Sequence, residues 1–441
     1  MFLNISFINS IDLKRIIKNI FGETSSFISS IIIQLLFFPF MLIAWGPKNT
    51  GLWLFITSIP SAITFWKLSF SEACRQEIIL KGKKFKNKIY SVSLILIFGV
   101  IILSGLIFFV LNILYLKNFI IFNDIKIDNL NYILVIIFIT FCLEIIINNI
   151  LIISQYKGKI YLSNYVQNSF LLVEKLSVPL CGFFTDKIIL AAALVLIFKI
   201  IKYPFTRYIL SKHNLIFVFK KKLLKINSIK KIFNKSLKFY YNDVSSILNT
   251  SGLIFIVGIF FNSETVAFVG AANIMFRFSI IRLLSIITNF MSFEIPILFK
   301  RKNLNELVNI LNLQQNIIYL CILLSSIVVF FSGEFIFDVW TSGTFTHYEK
   351  EFLFLIWLEA IILILSYNKL ILGMYLNKLD NATLQSLIVT VMIYILLIIL
   401  LNISLDLKNL FIFLIIKNII IYTIYFQFNR KIKKNLFIKV I

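Results

Sequence analysis

Acidic residues are scarce in this chain of 441 residues: 20 Asp and Glu stand against 44 Lys and Arg, and charged residues of every kind make up only 15%. So low a charge content excludes an ordinary soluble domain, which must cover itself with water-compatible groups. Histidine and cysteine are rarer still, at two and four. His213 and His347 fall in different gaps between apolar runs, expected on opposite sides of a membrane, and so share no metal site. Cys74, Cys142, Cys181 and Cys321 lack metal-ligand spacing, and the last three lie inside apolar runs, where they read as small buried residues. No glycine-rich loop suits a phosphate, and no nucleophile–base constellation appears. The expectation is therefore no catalytic residues, no metal and no resident cofactor.

What the chain has in abundance is apolar length. Hydrophobic residues make up 59%, the mean hydropathy is +0.93, and the sequence resolves into about twelve membrane-length segments. These fall near 23–45, 51–72, 89–115, 131–154, 162–184, 188–206, 241–262, 265–298, 310–332, 351–373, 383–403 and 409–428. The gaps between them alternate. One set is basic: Arg75 to Lys88, then Lys157 and Lys159, Arg207 to Lys238, Lys300 to Lys302, Lys378, and Arg430 to Lys434. The other set is sparse, with a lone Lys48, then Lys117 and Lys126 beside Asp124 and Asp128, Lys187, Lys350 and Lys408. Basic gaps stay in the cytoplasm, so a multi-pass protein of the bacterial cytoplasmic membrane with both termini inside is expected. The +24 formal charge then reads as orientation and contact with anionic membrane lipids, and not as a nucleic-acid surface. Residues 1–22 mix apolar residues with Asp12, Lys14, Arg15 and Lys18. They lack the compact apolar core of a cleavable signal, and an amphipathic surface helix is expected there.

The segments pair at an offset of roughly 220 residues, which predicts two parallel six-helix repeats related by a pseudo-two-fold along the membrane normal. The expected fold class is therefore all-α and polytopic. Residues 1–206 form one lobe, 207–238 a basic cytoplasmic linker, and 239–441 a second lobe. Two such lobes flanking a cavity suit alternating access.

An ionisable group within a span is costly unless it meets a cavity or a partner, so each is a candidate. Arg277 falls near the middle of the eighth span with Asn273 one turn earlier, and Arg282 begins a second polar stripe with Ser285 and Asn289. The second span carries Thr57, Ser61, Thr64, Lys67 and Ser71. The first shows Ser26, Ser30 and Gln34, and the seventh opens with Asn242, Asp243, Ser245, Ser246 and Asn249. Cavity-lining cations at Lys67, Arg277 and Arg282 are what a phosphate-bearing anion requires, with the neighbouring hydroxyls and amides free for sugar hydroxyls. Helix packing and snorkelling are the bland alternatives. Glu144, Glu174 and Glu359 lie deep in their spans and are candidates for taking up a coupling proton or Na⁺, against inter-helix ion pairing. Glu144 and Glu359 occupy equivalent places in the two halves. Lys199, Lys202 and Lys417 read as snorkelling or pairing residues.

A resemblance adds to this reading. Its residues are Gly46-Pro47-Lys48-Asn49-Thr50-Gly51-Leu52-Trp53 leading to Lys67-Leu68-Ser69-Phe70-Ser71-Glu72-Ala73, then Val269-Gly270-Ala271-Ala272-Asn273 with Arg277-Phe278. Asp338-Val339-Trp340-Thr341-Ser342-Gly343, and Gly373 near Leu379-Asp380, complete the pattern. In these the chain resembles a polysaccharide (O-antigen, Wzx-type) flippase of the multidrug/oligosaccharidyl-lipid/polysaccharide exporter superfamily, departing from it at Leu68-Ser69-Phe70, where an acidic-glycine pair is usual. The resemblance implies transport of polyprenyl-pyrophosphate-linked oligosaccharide repeat units from the cytoplasmic to the periplasmic leaflet. It also implies a polysaccharide polymerase and a chain-length regulator as partners. A drug/cation antiporter or a peptidoglycan-precursor flippase of the same superfamily is the near alternative, and a membrane polysaccharide polymerase the distant one.

Overall fold

The computed structural model describes residues 13–63, 74, 86–116, 130–154, 160–215, 218–224, 226–278, 304–348, 350–375, 381–403 and 406–437. Among the described residues all regular structure is helical and no strand occurs. Long apolar stretches in a bilayer must satisfy every backbone group internally, and the helix does so within one segment. We number the helices α1 (Leu13–Ile63), α2 (Lys86–Leu116), α3 (Leu130–Ser154), α4 (Ile160–Phe184), α5 (Ile188–Lys212) and α6 (Ile226–Ile247). They continue with α7 (Leu253–Phe260), α8 (Ser263–Ala272), α9 (Leu304–Trp340), α10 (Lys350–Tyr375), α11 (Ala382–Leu401) and α12 (Leu407–Phe437). Nine of the described helices are long and apolar enough to cross a membrane.

The first two expected spans prove to be one helix of 51 residues broken at a single residue. Gly46 takes φ 69°, ψ 175°, a backbone conformation that only glycine adopts without steric cost. Pro47 follows at once, where its missing N–H costs nothing in a new first turn. Thr50 Oγ1 then donates to the Met41 carbonyl at 3.1 Å, tying the two arms together. The five-residue link expected from hydropathy is thus a one-residue kink.

The helices cluster into two compact units of interleaved segments. The first comprises Met1–Ile33, Lys67–Leu103 and Tyr132–Ser236; the second comprises Gln34–Trp66, Ser104–Asn131 and Leu237–Ile441. In the first unit, Ile147, Leu151 and Val166 join α3 to α4, with Tyr203 and Phe205 of α5 packed over them. Ser93 of α2 donates to the Asn149 side chain of α3 at 2.8 Å, so this buried amide is not left without a partner. The start of α6 is strongly amphipathic, and Ile232 and Ile229 fold onto Ile89, Tyr90 and Val92 of α2. Lys230, next to Ile229, is exposed.

The second unit is held by close backbone approach. A Cβ on Gly51 would fall 1.7 Å from the Ser263 carbonyl oxygen, so α1 touches the start of α8 main chain to main chain. Asn262 caps α8, its side chain accepting from the Thr265 N–H at 2.8 Å. An aromatic cluster closes one end of the unit. Phe268 stacks on Tyr348 with ring centroids 4.1 Å apart and meets Phe337 and Phe345 edge-on.

Candidate functional site

Two helices of the second unit lose their ordinary register at the same place. Between α6 and α7, residues Leu248–Gly252 form a π-helical turn; directly after α8, residues Asn273–Phe278 form another. A π turn shifts the hydrogen-bond ladder and frees backbone carbonyls, and such turns concentrate at functional sites. Here the freed carbonyls are taken by side chains. The Arg277 guanidinium donates from Nη1 to the Asn249 carbonyl at 2.5 Å. The Tyr394 hydroxyl of α11 donates to the Leu248 carbonyl at 2.7 Å.

A charged network grows from this pair of turns. Arg277 Nη2 lies 3.5 Å from Glu359 Oε1 of α10. Asn418 of α12 donates to the same Oε1 at 2.8 Å and to the Glu359 carbonyl at 3.2 Å. Lys417, beside it, donates to the Asn249 side-chain oxygen and lies 5.3 Å from the centre of the Tyr394 ring. All the titratable members of the network are buried: Arg277 and Glu359 are 1% exposed and Lys417 is 0% exposed. Around them Ser245 meets Thr390 at 3.0 Å, and the Tyr425 hydroxyl donates to Ser386 at 2.6 Å.

Two features make this network more than packing. Among the described residues two basic side chains face one carboxylate, a formal excess of one positive charge. Polar capacity is also left over: among the described residues, Arg277 Nε and Nη2, Asn273 Oδ1 and Asn418 Oδ1 have no hydrogen-bond partner. A buried charge without a counter-charge is costly. An entering anion would neutralise it, and the guanidinium offers it donors in fork geometry.

The first unit holds a second network. Lys199 of α5 contacts Glu144 of α3 at 2.7 Å and also Glu174 of α4. Lys202, one turn on, reaches Glu144 at 3.4 Å and Glu174 at 3.8 Å. Lys175 is exposed on α4, whereas its neighbour Glu174 is buried.

Of the residues singled out from sequence, Arg277 and Glu359 meet in the second unit, and Glu144 and Glu174 share Lys199 in the first. Asn273 contributes its position on the π turn and an unpaired oxygen. Gln34 is half-buried with its Oε1 unpaired, and Asp243 is half-buried near the end of α6. Thr64, Lys67 and Arg282 lie outside the described residues. Sequence reasoning gave no role to Lys199, Lys202, Lys417, Tyr394 or Asn418.

The helices define a multi-pass membrane protein, all-α in class. Its fold matches that of MATE transporters, which have twelve membrane-spanning helices in two lobes. A MATE protein solved in complex with MaL6 aligns with a TM-score of 0.66 at 14% identity, over 96% of each chain. An outward-facing multidrug resistance MATE family transporter of the MOP superfamily aligns with a TM-score of 0.62 at 14% identity, again over 96% of each chain. A MOP superfamily transporter from Pyrococcus furiosus, described as having a binding pocket of reverse polarity that suggests a different function, gives 0.60 at 13% identity over 96% of each. These structural neighbours are transporters and not enzymes. No protein-family model matches the chain, and no curated protein matches it in sequence.

Proposed function

We propose that the chain is an exporter of the MOP superfamily that moves an anionic, lipid-linked oligosaccharide across the bacterial cytoplasmic membrane by alternating access. The substrate class is a polyprenyl-pyrophosphate-linked repeat unit of O-antigen, capsule or exopolysaccharide, carried from the cytoplasmic to the periplasmic leaflet. The observation that carries this reading is the buried cation excess at the paired π turns: Arg277 and Lys417 against Glu359. A site for organic cations would require the opposite balance. The Pyrococcus furiosus neighbour supports it in one respect, since a protein of this fold is described with a pocket of reverse polarity.

In this account a pyrophosphate takes the open donors of Arg277 once the network opens, and Asn249, Asn273 and Asn418 supply amide groups to oxygen atoms of the substrate. Glu359, Glu144 and Glu174 are the carboxylates through which a proton or Na⁺ gradient would couple, by exchanging one partner of a buried pair. The two halves, 1–206 and 239–441, are the repeats, with 207–238 between them on the cytoplasmic side. A polymerase and a chain-length regulator act on the delivered unit. Multidrug efflux is the second reading, favoured by the description of the outward-facing structural neighbour.

Leaflet assignment of lipid-linked oligosaccharide in cells lacking the chain tests the proposal. Completed units trapped on the inner leaflet, with surface glycan lost, are expected. Normal surface glycan together with raised sensitivity to lipophilic cations would overturn it in favour of efflux.

A further inference from the structure

The segment between α5 and α6 is held against the first unit at a definite depth. The Lys220 N–H donates to Ser91 Oγ of α2 at 2.9 Å, and Ser91 lies one turn inside Asn87–Val110, the stretch long and apolar enough to cross a membrane. Leu215 buries against Leu210, Ile150 and Leu162. Of these, Leu210 is near the end of the apolar stretch of α5, Ile188–Lys212, and Ile150 near the end of that of α3, Leu130–Leu151. Leu224 and Ile229 pack on Ile89, Tyr90, Val92 and Ile232. The segment therefore lies where the apolar stretches of α2, α3 and α5 begin or end, which in a membrane is the headgroup layer.

What it turns outward suits that layer. Val218 and Phe219 are exposed and Ile226 is 83% exposed, although the same segment places Leu215, Leu224 and Ile229 inward. Outward apolar groups beside a membrane span enter the upper acyl region, while lysine stems lie along it and lift their ammonium groups to the phosphates. Lys220, Lys221 and Lys222 are exposed between these apolar residues, and Lys212 and Lys230 are exposed to either side. From 187 to 242 the sequence contains no Asp or Glu, so no carboxylate along this stretch competes for them. We infer that the surface of Val218, Phe219, Lys220, Lys221, Lys222 and Ile226 docks into the bilayer and binds the phosphates of anionic phospholipids. Its depth favours lipid over a soluble protein, which would have to reach into the headgroup layer. The inference needs only that the helices cross a membrane, and holds whatever the chain carries.

Hydrogen–deuterium exchange of the full chain in lipid nanodiscs tests it, comparing phosphatidylcholine alone with an equal mixture of phosphatidylcholine and phosphatidylglycerol of identical acyl chains. Amides in 218–224 are expected to exchange about fivefold more slowly in the anionic discs, the effect of one lysine held at an anionic surface. High salt should remove that difference. The triple variant Lys220→Gln/Lys221→Gln/Lys222→Gln, at exposed positions, should exchange alike in both discs. Phe219→Ser, with the lysines intact, should exchange faster in both. Equal exchange of the unaltered chain in the two discs would overturn the inference, and this arm needs no variant to fold. Protection that appears in neutral discs only when a cytoplasmic extract is added would also overturn it, assigning the surface to a protein partner.

Discussion

Each unit of the molecule gathers acids and basic side chains into a charged network, yet the two networks differ in balance. In the first, the two carboxylates Glu144 and Glu174 are each in ion-pair contact with the two lysines Lys199 and Lys202. In the second, Glu359 alone faces Arg277 and Lys417, and donors and acceptors are left open. A balanced buried network fixes three helices together; an unbalanced one is a place where something else is expected to enter or leave.

The largest effect that separates the two comes from removing one partner of the balanced network. Lys199→Met leaves two carboxylates on a single lysine and should cost about 3–5 kcal/mol, the cost of an uncompensated buried charge. Thermal unfolding of the purified protein in detergent measures it. The equivalent change in the second unit, Lys417→Met, leaves Arg277 and Glu359 matched. Its cost should be only about 1–3 kcal/mol, from the Asn249 oxygen that loses its donor, while export falls much further than stability does. Equal destabilisation by the two lysine variants would erase the contrast. Glu359→Gln works in the opposite direction: it keeps the shape and an acceptor for Asn418 but leaves two cations unopposed. Export from cells should drop about tenfold or more, an amount that one lost charge interaction supplies. The smallest pair of effects is the most diagnostic of role. Tyr394→Phe and Ser93→Ala each remove one buried hydrogen bond and should each cost about 0.5–1.5 kcal/mol. Only Tyr394→Phe, which releases the carbonyl of a π turn, should also slow export.

Much of the fold was legible in the sequence because apolar length and period are local properties. The all-α class and the membrane-length helices follow from hydropathy. What escaped depends on contacts between helices. A lysine within a span, such as Lys199 or Lys417, has the same hydropathy whether it snorkels to the membrane surface or turns inward to a partner on another helix. The π turns at Leu248–Gly252 and Asn273–Phe278 carry no sequence signature, since the register shift is stabilised by Tyr394 and Arg277 across the unit. The kink at Gly46 was visible as a glycine and a proline but was read as a longer link. Arg277 and Asn273 were found by their depth in a span. Tyr394 was missed because one tyrosine in an apolar run suggests no partner.

The most direct test of the cation excess is the leaflet distribution of lipid-linked oligosaccharide in cells whose only copy of the chain is Arg277→Gln. That change leaves Lys417 and Glu359 formally balanced, so protein levels should stay normal. The account predicts repeat units trapped on the inner leaflet and loss of surface glycan. Export at the unaltered rate with Arg277→Gln at normal abundance would contradict it.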